Sequence, residues 1–162
     1  MSNVGYLSLG SNVGDRERHL REAIRRLEAL GPVLAVSALY ETEPVEFTEQ
    51  AWFLNCAVAL ETEQTPIQVI GELLHIEQQM GRVRVQKKGP RVIDIDILLF
   101  GDVVLDTPEL TIPHPSMAGR RFVLEPLAEI APHAAHPVLK KTIRKLLAEL
   151  PAGQSVRKIQ NG

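Results

Sequence analysis

The sequence is poor in several things at once. Among its 162 residues there is one cysteine, Cys56, so no internal disulfide can staple the chain. Aromatic residues are scarce at 4%. The amino terminus lacks a basic segment followed by an apolar run, so neither secretion nor membrane insertion is indicated, and a reducing cytoplasm is the expected compartment. Charge of one sign is missing too: the formal net charge is −2 and the pI is near 6.2. No global field draws such a chain to nucleic acid or an anionic membrane, so a polyanion has to be met by a local basic patch. There is no internal repeat and no low-complexity tract. What is present, 44% hydrophobic and 23% charged residues with Gly and Pro at 11 each, is the composition of a globular protein. Its length suits one domain, 1–162, large enough to bury a core without metal or disulfide support.

Periodicity supplies the elements. Residues 4–9 read as a short buried strand ending at the turn-forming Gly10-Ser11-Asn12. Leu20, Ile24, Leu27 and Leu30 recur at helical spacing until Gly31-Pro32 stops them. Two runs of strand composition, 33–40 and 52–60, flank a polar loop and are expected to pair antiparallel. Thr65, Pro66 and Gln68 spell a capping box with proline at the first helical position, opening a helix that runs to Gly81. A strand at 92–100 follows, with Gly101-Asp102 as a hairpin turn into 103–105. Helices are expected at 122–130 and 138–150. The order strand, helix, strand, strand, helix, strand predicts an α+β chain with a ferredoxin-like split βαβ core (βαββαβ), an added hairpin strand and C-terminal helices. That fold hosts many unrelated activities, so sites must decide function.

The most informative site is Ile93-Asp94-Ile95-Asp96-Ile97. Side chains alternate along a strand, so Ile93, Ile95, Ile97 and Leu99 should share one face and Asp94 and Asp96 the other. Two carboxylates then stand roughly 6.5 to 7 Å apart at Cα and repel unless a cation sits between them. Mg²⁺, which takes one or two carboxylates and completes its shell with water and substrate phosphates, suits such a pair. A solvated strand face would read the same way, but the neighbourhood favours the metal. Residues 82–91, RVRVQKKGPR, hold Arg82, Arg84, Lys87, Lys88 and Arg91 with no anion. Gly89-Pro90 turns the chain so that Arg91 returns beside Asp94. Cations next to a metal-binding pair suit a phosphate chain lying across both, gripped by planar guanidinium forks.

Other positions are weaker singly. Phe53 and Asn55 share a strand face opposite Leu54 and Cys56, where an amide beside a ring could read a flat heterocycle. A polar edge residue is the plainer reading. Glu77 falls in phase with an apolar stripe, which is odd for a charge and places it at a pocket or against an Arg. His114 sits between two prolines, whereas His19, His75, His133 and His136 have no ligand spacing.

Taken together, LSLGSNVGDR (7–16), YETEP (40–44), FLNCAV (53–58), IEQQMGRVR (76–84), GPRVIDIDILLFG (89–101) and IPHPSMAGRRFVLEPLAEIAP (112–132) resemble the 6-hydroxymethyl-7,8-dihydropterin pyrophosphokinase family of folate biosynthesis. The resemblance runs in order over nearly the whole chain. It implies transfer of pyrophosphate from ATP, the co-substrate, to the pterin hydroxymethyl group with release of AMP. It also implies that Asp94 and Asp96 hold two Mg²⁺ ions, with Arg82, Arg91 and Asp96 catalytic. Thr42, Glu43, Pro44, Val45, Phe53, Asn55 and Phe122 would bind the pterin. Glu77, Arg82, Arg84, Lys87, Arg91, Ile97, His114 and Arg120 would bind ATP. A monomer without nucleic-acid or membrane partners is expected. Two departures stand out: Lys87-Lys88 where many members carry Arg-Trp, and Phe53 where many carry Tyr. Lysine lacks the bidentate fork, and Phe keeps stacking but loses a hydroxyl. The rival readings are another Mg²⁺-dependent nucleotidyl or phosphoryl transferase, and an RNA-binding module of the same fold, which the acidic strand and the pI disfavour.

Overall fold

The computed structural model describes residues 2–42, 52–81, 92–153 and 155–159. Among these residues ten strands and four α-helices follow in the order β1 (Asn3–Ser11), α1 (Arg16–Leu27), β2 (Val33–Val36), β3 (Leu39–Thr42), β4 (Phe53–Thr62), α2 (Pro66–Gln79), β5 (Asp94–Phe100), β6 (Leu105–Asp106), β7 (Thr111–Ile112), α3 (Arg121–Ile130), β8 (Ala135–His136), β9 (Lys141–Thr142), α4 (Ile143–Ala148) and β10 (Val156–Ile159). The main sheet runs β10-β3-β4-β1-β5, with β2 also on β4, and every pairing in it is antiparallel. The chain is therefore a mixed α/β protein built on an antiparallel sheet.

Alternation along the strands produces two cores. Leu7, Leu9, Leu54, Cys56, Ile95 and Ile97 face one way and meet Leu20, Ala23 and Leu27 of α1 and Val69, Leu73 and Ile76 of α2. The opposite face carries Ala57, Leu98 and Leu99 and is covered by Val123, Leu124 and Leu127 of α3 and Ile143 and Leu146 of α4. Helices on both sides make a three-layer sandwich. Leu99 was expected beside Ile97, but it joins the second core. A register shift of β5 against Tyr6 and Leu7 lets Leu98 enter as an extra residue, which reverses the alternation beyond it.

Local chemistry accounts for the other differences. The single strand expected at 33–40 is two, both on β4, broken at Ser37 and Ala38. Ser37 Oγ accepts from the Ala57 amide at 2.8 Å, and the Ala38 amide donates to Glu129 at 3.0 Å. Side chains there stand in for ladder partners. The first strand runs on through Gly10 and Ser11, since both pair with β4. The turn at Gly101 forms, with φ at 56°, but β6 pairs β7 and adds no strand beside β5. The helix expected at 138–150 shortens to α4, because His136 Nδ1 accepts from the amides of Val138 and Leu139 and holds a turn after Pro137. Thr142 then caps α4 by accepting from the Lys145 amide. The capping box on α2 is as predicted, reciprocal between Thr65 and Gln68.

Candidate active site

The site is organised by one row of residues across three neighbouring strands. In the ladder, Asn55 of β4 lies opposite Gly10 of β1, and Gly10 lies opposite Asp94 of β5. The next row on that face is Ala57, Ser8 and Asp96. Asp94 and Asp96 are half-buried while Ile93, Ile95 and Ile97 between and around them are buried, so both carboxylates do project from the same side of the strand. Asn55 and Asp94 are separated by two strand spacings, about 10 Å at Cα.

Gly10 makes room in this row for its neighbours' side chains. A Cβ at that position would lie 2.5 Å from Asn55 Oδ1 and 3.5 Å from a ring carbon of Phe53. Both side chains therefore lean over the same backbone, as their alternation predicted. Sequence reasoning placed Gly10 in a turn and missed its role; the available signal was a glycine continuing a strand pattern, which marks close approach to a backbone. Asn55 is buried, and its amide donates to Thr42 Oγ1 at 2.6 Å, joining the ends of β3 and β4. Thr42 is 1% exposed.

The far edge of the face is framed by the chain after β7. The His114 amide donates to the Leu98 carbonyl at 3.0 Å, which ties this loop to β5. His114 Nδ1 accepts from the Ser116 amide at 3.1 Å, so the neutral ring carries its proton on Nε2. Burial lowers the His114 pKa, Arg120 lowers it further, and Asp94 acts in the opposite sense, so these three groups lie within each other's field. The Arg120 guanidinium stands 5.6 Å from the centroid of Phe122, the second residue of α3.

Two residues read as nucleotide contacts have structural duties. Glu77 is 2% exposed, and its Oε2 accepts from the Ile95 amide at 2.8 Å, so α2 holds the strand carrying the carboxylates. Ile97 points into the core under the sheet, away from Asp94 and Asp96, and only its main chain borders the site. Glu43, Pro44, Val45, Arg82, Arg84, Lys87 and Arg91 lie outside the described residues. Among the described residues no group of three or more His, Cys, Asp or Glu side chains is placed to hold a metal ion.

Residues 6–132 match the model of the 7,8-dihydro-6-hydroxymethylpterin-pyrophosphokinase family. The chain belongs to that family. Its enzymes pass pyrophosphate from ATP to hydroxymethyldihydropterin in folate synthesis. A pyrophosphokinase of Bacillus subtilis is 47% identical over 132 residues, spanning 80% of this chain and 79% of that protein. One from Methylorubrum extorquens is 46% identical over 151 residues, 91% of this chain and 94% of the relative. A folic acid synthesis protein of Dictyostelium discoideum is 39% identical across 98% of this chain, which spans only 24% of that longer protein. In fold, the chain is similar to the wild-type HPPK-DHPS of Plasmodium falciparum solved with pteroate, at a TM-score of 0.73 and 21% identity over 92% of this chain and 42% of the other.

Proposed function

We propose that this pyrophosphokinase binds the pterin against Asn55, Phe53 and Phe122 and seats Mg²⁺-ATP on Asp94 and Asp96. The row Asn55, Gly10, Asp94 carries this reading. It sets an amide able to read a heterocycle edge and a carboxylate able to hold a cation on one face of the sheet, their Cα atoms about 10 Å apart across a glycine that contributes no side chain of its own. The half-buried oxygen pair fits Mg²⁺, which leaves several positions to water and phosphate. When bound, two such ions would neutralise the polyphosphate and withdraw charge from the reacting phosphorus.

The chain's own residues do the rest. Thr42 and Asn55 fix the pterin, with Glu43, Pro44 and Val45 supplying backbone contacts. The hydroxymethyl oxygen attacks the β-phosphorus of ATP, the bond from that phosphorus to the α,β-bridging oxygen breaks, and AMP departs. Asp96, on the acidic face, offers the hydroxyl proton an acceptor. Arg82 and Arg91 stabilise charge on the transferring group, while Arg84 and Lys87 hold the outer phosphates. His114, through Nε2–H, and Arg120 contact the nucleotide, joined by the main chain of Ile97, while Glu77 acts from behind the strand by holding the Ile95 amide.

The strand order β5-β1-β4 with β2 beyond supports a ferredoxin-like core within a single domain. No described helix is long and apolar enough to cross a membrane. The test is a product assay with ATP, hydroxymethyldihydropterin and Mg²⁺. AMP formed in step with pterin pyrophosphate is expected, abolished by chelation. Release of ADP or of free pyrophosphate would instead point to a different phosphoryl or nucleotidyl transferase.

A further inference from the structure

Arg16 is the first residue of α1 and follows directly on the segment that leaves β1 after Ser11. Its guanidinium reaches across to two other strands. One nitrogen donates to the Trp52 carbonyl at 2.8 Å, immediately before β4 begins at Phe53. Another donates to Glu41 Oε2 at 2.8 Å, one residue before Thr42 closes β3. Glu41 receives Arg157 of β10 on its other oxygen. Arg16 and Glu41 are both largely covered, with side chains 29% and 17% exposed. The Arg16 hydrogen bond is the main cause of a lowered Glu41 pKa, with burial opposing and Arg157 assisting.

We propose that Arg16 is a positioning residue for the pterin half of the site. It acts through the ends of β3 and β4, which bear Thr42, Phe53 and Asn55. Thr42 lies opposite Phe53 in the ladder and accepts the Asn55 amide, so a small change in the relation of the two strand ends moves all three groups together. The planar fork is suited to the task because it grips a carboxylate and a carbonyl on different strands at once. A lysine ammonium on a flexible stem holds such a pair poorly. The proposal rests on the reading of Thr42, Phe53 and Asn55 as the pterin edge.

The test is steady-state kinetics of Arg16→Ala, Arg16→Lys and Asn55→Ala, with thermal unfolding of each. Arg16→Ala is expected to raise the KM for the pterin about tenfold, leaving kcat and the KM for ATP within about twofold. Arg16→Lys, which keeps the charge and most of the stem, is expected to retain most of that loss. Should Asn55→Ala raise the pterin KM while both Arg16 variants leave it unchanged, the positioning role is overturned and the site reading stands. An unchanged pterin KM in all three overturns both. A uniform loss in kcat and both KM values for Arg16→Lys, with a lowered midpoint, would make the residue merely structural.

Discussion

Gly10 shows how much one missing side chain decides. Its Cα faces Asn55 and Phe53 so closely that a methyl group must displace the amide. Gly10→Ala is therefore expected to weaken pterin binding by about 1 to 3 kcal/mol, the usual cost of overpacking, while Mg²⁺-ATP binding changes little. Calorimetric titration with each ligand separately checks this, and equal losses for both would contradict it. Asp96 poses the opposite case, a residue needed for what its charge attracts. Asp96→Ala is expected to abolish turnover with the thermal midpoint nearly unchanged, because the side chain is half-buried on the open face rather than in either core. Wild-type turnover in that variant would refute its role.

Among the elements, β5 and its supports matter most. The Ile95 amide is held by Glu77 from the buried face of α2. Glu77→Ala should leave a buried donor unmatched and lower unfolding free energy by about 1 to 3 kcal/mol, measurable by denaturant titration. The β3 end answers to pH. The Glu41 carboxyl is lowered in the fold, so its contribution is fully present above the ordinary carboxylate value and fades as pH falls through the folded value. Wild type is expected to lose stability on acidification faster than Glu41→Gln; parallel pH profiles would contradict this.

Local chemistry was legible in these elements. The Thr65-Pro66-Gln68 signature gave the start of α2 because every interaction it needs lies within one turn. The alternation of Asp94 and Asp96 against Ile93, Ile95 and Ile97 was equally local. What escaped depended on distant partners. The strand breaks at Ser37 and Ala38 because Ala57 bonds the Ser37 hydroxyl and Glu129 takes the Ala38 amide, both from elsewhere in the chain. Leu99 changes face through a bulge set by pairing with Tyr6. The pairing of β10 with β3 brings residues more than a hundred positions apart together, as the Arg157 contact with Glu41 does.

At the scale of the molecule, the sheet divides labour between its faces. The α1 and α2 side is filled with aliphatic residues and fixes the strands, while α3 and α4 cover only part of the other side. The rest of that face holds the buried amide and glycine and the half-buried carboxylates in register. Family membership was readable from sequence because its motifs fall on those rows. Gly10 and Arg16 sat within one of the motifs but revealed nothing of their roles until β3 and β4 were placed beside them.

The central claim is that Asp94 and Asp96 recruit Mg²⁺ and that the metal seats the polyphosphate. Isothermal titration of a non-hydrolysable ATP analogue, with and without Mg²⁺, into wild type and the Asp94→Ala and Asp96→Ala variants tests it most directly. Tight binding only with Mg²⁺ and only in wild type is the predicted result. Binding of equal strength without the metal, or undiminished in both variants, would contradict the account.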